Sequence, residues 1–314
     1  MADLAGTPPT RPACRLRAVV VTCGAVVALA ACGGSTSTSS SSIPKVSIAA
    51  TASGYDIQPA GQLPAGLIEF DLHNNDSALH EFKFASPVAG TTLDQLRATL
   101  SSGNLDQLPQ KVELGFSWVL PPAGSQTLFL TFAASTNFVL SLISRGPNAP
   151  VQAAQGYLAQ FTVSGAPAKG QPQPTTGGTL AISANAVNVP TGFGKGTYVM
   201  VNTDSVAAHR LTFYRFTGPA KPLADVVAAF AQQAQAANGP APPTGPPPQL
   251  TLGLQGIGGP DPFPPFGCSC IIGSQVLGTF NLSPGTYVAF GDGIDPKTNM
   301  FEASAGLAAE FTVS

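Results

Sequence analysis

Short alternations of apolar and polar residues, broken by turn residues, run through most of the chain. Gly66-Leu-Ile-Glu-Phe-Asp-Leu-His-Asn-Asn75 leads through a polar turn into His80-Glu-Phe-Lys-Phe84. Later, Gly196-Thr-Tyr-Val-Met-Val-Asn202 leads in the same way into His209-Arg-Leu-Thr-Phe213. A period of two over four to eight residues predicts strands, each with one face toward a core. The period changes in two places. Leu93, Leu96 and Leu100, and then Leu223, Val226, Val227 and Phe230, have the i, i+3/4, i+7 spacing of one helical face.

These elements recur in the same order. Gly-Ser-Gln opens a strand at 124–126 and again at 273–275. Asn137-Phe-Val-Leu with Gly156-Tyr-Leu-Ala-Gln-Phe-Thr-Val163 matches Thr286-Tyr-Val-Ala with Gly306-Leu-Ala-Ala-Glu-Phe-Thr-Val313. From Gly-Ser-Gln to the final Val is 39 residues in one half and 40 in the other. The body is therefore a tandem duplication, residues 45–164 and 179–314. Gly, Pro and Gln in 165–178 mark a linker, and the Pro-rich stretch 239–249 reads as an extended loop inserted in the second half. Each half reads as an all-β sandwich of six to eight short strands with one short helical insert.

Composition supports strands and turns. The 314 residues include 34 Gly and 30 Pro, and only 10% are charged, which argues against helix bundles and coiled coils. With 14 Lys+Arg against 16 Asp+Glu there is no basic surplus to displace counterions from phosphates, so no nucleic-acid partner is expected.

The N-terminal segment carries separate information. Arg11, Arg15 and Arg17 precede an uncharged apolar run, Ala18 to Ala31, which ends Leu29-Ala30-Ala31-Cys32. A basic region, a short apolar region and small residues before the cut define a secretory signal. The run, about 14 residues, is shorter than the roughly 20 that span a bilayer as a helix. Leu-Ala-Ala-Cys resembles the bacterial lipobox, which implies lipid attachment at Cys32 after removal of residues 1–31. Residues 32–44 then form a Ser/Thr-rich tether that cannot bury enough apolar surface to fold. The mature chain would keep 11 basic and 15 acidic residues, a net charge of -4. The expectation is a body anchored by its N-terminal lipid to the extracytoplasmic face of the cell membrane, with an envelope protein as a further partner.

The order of a strand, an Asn-containing turn, a His-led strand, a helical insert, a Gly-turn strand and a final Phe-Thr-Val strand resembles the cupredoxins, the plastocyanin and azurin family. The resemblance implies two tandem Greek-key β-sandwiches. In that family a His after the Asn turn, a Cys, a second His and usually a Met hold blue copper. His80 and His209 match the first ligand. Gly291, and Leu142 in the first half, stand where the Cys would be; Tyr157 and Leu307 replace the Met. No His follows His209, so the His₂Cys set is lacking in both halves. The resemblance thus implies the fold without its usual copper.

For the remaining candidates the chemistry leaves alternatives. His80 and His209 read as buried neutral imidazoles bonded to backbone, or as metal ligands. Cys268 and Cys270 read as a disulfide, as inert thiols, or with His209 as a clamp for a soft ion such as Cu(I). His73 lacks a counterpart and reads as a surface residue, and Trp118 as core. Phosphate loops, nucleophile elbows and acid/base pairs are not found. The expected function is a non-enzymatic binding or structural module without a cofactor. The alternatives are an extracytoplasmic copper-binding protein and an accessory subunit of a membrane redox complex.

Overall fold

Both halves form sandwiches whose strands alternate buried and exposed positions as the sequence pattern requires. The structure, a computed structural model, describes residues 42–314 apart from 145–148, 168, 238–245, 257–265, 271–274, 294, 296, 297 and 299. For 266–270 it describes the backbone alone. The signal segment, Cys32 and most of the tether therefore lie outside the described residues, as does most of the Pro-rich insert. Residues 41–314 make one compact unit.

The first half runs β1 (Lys45–Thr51), β2 (Gly54–Gln58), β3 (Gln62–Pro64), β4 (Gly66–Asn74), β5 (His80–Pro87), α1 (Leu93–Ser101), β6 (Val112–Leu120), β7 (Ser125–Phe132), β8 (Ser135–Leu140) and β9 (Leu158–Ser164). The second runs β10 (Thr176–Ser183), β11 (Ala186–Asn188), β12 (Lys195–Asn202), β13 (His209–Phe216), α2 (Leu223–Ala237), α3 (Pro248–Leu252), β14 (Leu254–Gly256), β15 (Phe266–Cys270), β16 (Gln275–Asn281), β17 (Gly285–Gly291) and β18 (Ala308–Val313). The second half starts its first strand at Thr176, three residues inside the segment read as linker, and α3 begins within the end of the Pro-rich stretch.

The helices α1 and α2 form where the 3.6-residue pattern places them, whereas α3, a single turn opened by Pro248, is not predicted by it. Thr92 caps α1 in a capping box with Gln95: the Gln95 N–H donates to the Thr92 hydroxyl, and the Gln95 side chain accepts from the Thr92 N–H. Leu96 and Leu100 turn inward onto Phe138 and Leu158. Val226 and Phe230 of α2 pack on Tyr214 and Phe290 in the corresponding place.

The halves are not strung side by side; both sheets pass from one half into the other. One sheet has the order β11-β10-β12-β16-β7-β4-β1-β2, the other β18-β17-β13-β15-β6-β5-β8-β9-β3. The joints are the antiparallel pairs β16–β7 and β15–β6. Their register is symmetric. Residues 150 apart in sequence correspond across these strands, so Gly278 pairs with its own counterpart Leu128, and Leu277 pairs with Phe129 as Thr279 pairs with Thr127. Likewise Cys268 pairs with its own counterpart Trp118, and Gly267 pairs with Val119 as Ser269 pairs with Ser117. Each half therefore offers the same two strand edges to the other, about a local two-fold axis, as the subunits of an isologous dimer do. One apolar core results, in which Ile48, Phe70 and Trp118 are continuous with Ile182, Phe213 and Phe280. Edges that would otherwise present unpaired N–H and C=O groups are closed by this pairing.

Candidate functional site

The resemblance directs attention to the two His-led strands, and the structure builds a buried polar centre at each. In the first half β4 ends at Asn74, fully buried. Its amide nitrogen donates to the carbonyls of Ala78 (2.7 Å) and Leu120 (2.9 Å), and its oxygen accepts from the Asp76 N–H (3.0 Å). This turn sets Asp76 beneath the first residue of β5. Asp76 Oδ2 lies 2.8 Å from His80 Nε2 and accepts from the Tyr157 hydroxyl at 2.7 Å. Tyr157 also lies against the imidazole, ring centres 4.0 Å apart.

The other ring nitrogen is occupied as well. His80 Nδ1 is 3.0 Å from Gln152 Oε1, which also accepts from the Ser141 hydroxyl (2.6 Å). Gln152 Nε2 donates to the Leu79 carbonyl (2.8 Å), so its oxygen is the atom that faces the ring. Both nitrogens of a side chain with no exposed surface thus face side-chain oxygens.

The second half repeats this with one change. Asn202 donates to the Ala207 carbonyl (2.9 Å) and accepts from the Asp204 N–H (2.9 Å). His209 Nε2 lies 2.9 Å from Asp204 Oδ2, and Nδ1 lies 3.1 Å from Glu302 Oε1. Glu302 holds the place of Gln152. Each begins a short 3-10 turn closed by a left-handed glycine, Gly156 (φ 115°) or Gly306 (φ 106°). The second Glu302 oxygen is buried without a hydrogen-bond partner among the described residues.

The electrostatics differ accordingly. The Tyr157 hydroxyl, helped by His80 and the Ser77 N–H against the opposing effect of burial, holds the Asp76 carboxyl down at about 2. The Val206 N–H, with His209, holds Asp204 below its ordinary range although burial opposes it. Glu302 is pushed upward, because burial outweighs the bond to His209. One half therefore has an imidazole between a carboxylate and an amide, the other an imidazole between two carboxyl groups.

Several sequence expectations change at this point. The imidazoles are buried as expected, but their partners are side chains rather than backbone groups. The residue corresponding to Gly291 is Ser141, not Leu142: the Ser141 N–H donates to the Tyr157 carbonyl as the Gly291 N–H donates to that of Leu307. Neither residue offers a thiolate, and Leu307 offers no thioether. Asp76, Asp204, Gln152 and Glu302 were not singled out from sequence. The signal was present in the repeat, as Asn-x-Asp at 74–76 and 202–204 and as Gln or Glu four residues before the matching Gly156 and Gly306.

Blue copper does not fit these residues. Every ring nitrogen of His80 and His209 has a side-chain partner, and the Cys and Met positions hold Ser141 or Gly291 and Tyr157 or Leu307. Among the described residues no group of three or more His, Cys, Asp or Glu side chains could hold a metal ion. The backbone register sets Cys270 opposite His209 and Cys268 opposite Leu211; the side chains of both cysteines lie outside the described residues. His73 is on β4 and half-buried rather than at the surface, next to Asn74 in the chain.

Gly291 makes room for the carboxylate of Glu302. A Cβ there would lie 2.7 Å from Glu302 Oε2, 3.1 Å from Glu302 Cβ and 3.1 Å from Leu307. Gly291→Ala is expected to lower stability by about 1–3 kcal/mol through overpacking. The loss should shrink when Glu302 is also replaced by Ala, as urea denaturation of both variants would show.

No protein-family model and no curated protein matches the chain. Among solved structures it is similar to reduced auracyanin from Roseiflexus castenholzii, at 21% identity over 45% of this chain and 99% of that one, TM-score 0.25. It is similar to auracyanin A, a "blue" copper protein from Chloroflexus aurantiacus, at 10% identity over 38% and 98%, TM-score 0.25. It is also similar to the copper nitrite reductase of Nitrosomonas europaea, at 11% identity over 87% and 94%, TM-score 0.22. Likenesses this faint carry no functional weight. The β-sandwich architecture stands on the strand order and register given above.

Proposed function

We propose that the chain is a non-enzymatic lipoprotein, held by Cys32 to the extracytoplasmic face of the cell membrane, whose fused sandwiches act as a binding or structural module. The observation that carries the non-catalytic, copper-free part is the pair of His centres, in which all four ring nitrogens are engaged by protein side chains. Such closed networks rigidify a fold and offer a substrate or metal no open position. The anchoring part is supported by the basic, apolar and Leu-Ala-Ala-Cys segments in sequence. Among the described residues no helix is long and apolar enough to cross a membrane.

The Cys32→Ser variant tests the anchor. Cells fed radiolabelled palmitate are expected to label the parent protein and not the variant, which should move from the membrane fraction to the soluble fraction. Equal labelling of both would sink the lipoprotein reading. Addition of copper to the purified protein should leave the visible spectrum flat. An intense band would favour the copper-binding alternative, and crosslinking to a membrane oxidoreductase in intact cells would favour the accessory-subunit one.

A further inference from the structure

A second locus lies away from the imidazoles, where the two halves part. The β7–β16 ladder holds for three pairs, Leu277–Phe129, Gly278–Leu128 and Thr279–Thr127. β7 starts at Ser125, still paired to His73 of β4, while β16 ends at Asn281 and the chain crosses to β17 in the other sheet. The strands diverge there and leave a cleft of about 660 Å³, within the size range of small-molecule sites.

The cleft is lined mainly by polar groups. Asp71 takes the Lys45 ammonium (2.7 Å) and the Thr127 hydroxyl (2.8 Å), and that pair of charges forms one wall. Gln126 sits at the joint and donates to the carbonyls of Thr127 (2.9 Å) and Thr279 (2.7 Å), one from each half. Arg215 stands on the opposite wall, one guanidinium nitrogen on the Pro284 carbonyl at 2.6 Å. Among the described residues, the side chains of His73, Ser125 and Asn281 make no hydrogen bond to protein, so their donors and acceptors are available to a ligand.

The symmetry of the joint shows that this chemistry is not imposed by the fold. The strand positions matching Asp71, His73, Gln126 and Thr127 in the other half are Val199, Val201, Val276 and Leu277, while Asn281 corresponds to Thr131. The same framework is thus apolar at one set of positions and polar at the other.

From this we propose that the cleft binds a saccharide. A sugar hydroxyl both donates and accepts, and it suits a wall that alternates a carboxylate, an amide, hydroxyls and an imidazole. A polyphosphate does not suit it, because Lys45 is already balanced by Asp71 and Glu69, leaving Arg215 as the lining cation that has no acidic partner among the described residues. The proposal deepens the reading of the chain as a binding module and rests on it. Lys45 is the first residue of β1, so a tether of about a dozen residues, with a reach of roughly 20 Å, would hold the cleft near a lipid surface. A free oligosaccharide and a glycolipid headgroup offer the same chemistry, and the two are separable by experiment.

The test uses the full mature protein in detergent micelles. Saturation-transfer NMR with maltotriose, xylotriose and chitotriose, and co-sedimentation with galactolipid vesicles against phosphatidylglycerol vesicles, distinguish a free sugar from a lipid-borne one. At least one arm is expected to bind, and Asn281→Ala and Ser125→Ala together should weaken it about tenfold or more, the loss of one to two hydrogen bonds. Asp71→Asn should act in the same direction. Unchanged Trp118 fluorescence would certify each variant as folded. Failure of all sugars, binding untouched by the variants, or displacement by millimolar inorganic phosphate would overturn the proposal. If Cys32→Ser is released from membranes yet still binds sugar, both readings stand. An anchored protein that binds no sugar removes the cleft assignment alone, and an unlipidated one that binds sugar removes the anchor alone.

Discussion

Replacing His209 by Leu should destabilise the protein by about 3–5 kcal/mol, because it leaves two buried carboxyl groups without their shared partner. Asp204 and Glu302 side chains are 9% and 6% exposed, so water cannot take over. Glu302→Gln is the informative contrast, since it reproduces the amide already present as Gln152 and should cost far less. The pH behaviour follows from the directions of the shifts. Asp76 and Asp204 are depressed, so their stabilisation is complete above the unfolded carboxylate value of about 3.9 and is lost as pH falls through their folded values. For Asp76 that loss runs down to about 2. Glu302 is raised, so its contribution is complete below the unfolded value of about 4.3 and is lost as pH rises through the folded value. Glu302→Gln should therefore gain on the parent as pH rises from 4 toward neutrality. Urea denaturation between pH 3 and 8 measures both; a His209→Leu loss under about 1 kcal/mol would place these groups in water instead.

An effect of similar size is expected from Trp118→Ala, with a different signature. Trp118 has no exposed surface and packs between Phe116 of its own half, at 5.9 Å, and Phe280 of the other, at 6.1 Å. Deleting such a ring costs about 3–5 kcal/mol through lost burial and the cavity left behind. Its position in β6, opposite Cys268 at the joint, makes the loss common to both halves. The parent should consequently unfold in one transition, with fluorescence of its single Trp and far-UV circular dichroism coinciding. The variant should unfold in one transition too, at lower denaturant. Two separated steps in the parent would mean that the halves are independent bodies.

The alternating strands and the helices α1 and α2 could be read from the chain because period two and period 3.6 are local properties. Val46, Ile48 and Ala50 alternate inward in β1, and Leu96 and Leu100 face the core from α1. The joint could not be read in this way. β7 has the same alternation whether its second edge meets solvent or β16, so nothing in Ser125–Phe132 announces a partner more than a hundred residues away. The His centres lay between these cases. His80 and His209 stood out as matching imidazoles, yet each draws one partner from the preceding turn and another from a segment 72 or 93 residues later. A pairing of that range leaves no periodicity. Its only trace in the sequence is that Asn-x-Asp and the Gln or Glu before glycine recur together in the two copies.

The symmetric joint has a consequence for how these centres can differ. In a dimer of identical subunits, any substitution near the axis is made twice, and both sites change together. Here the equivalent positions belong to one polypeptide and are encoded separately. One centre can hold an amide at Gln152 while its twin holds a carboxyl group at Glu302. One set of strand positions can carry Asp71 and His73 while the other carries Val199 and Val201. Covalent fusion keeps the geometry of a dimer and releases each half from having to match the other's chemistry.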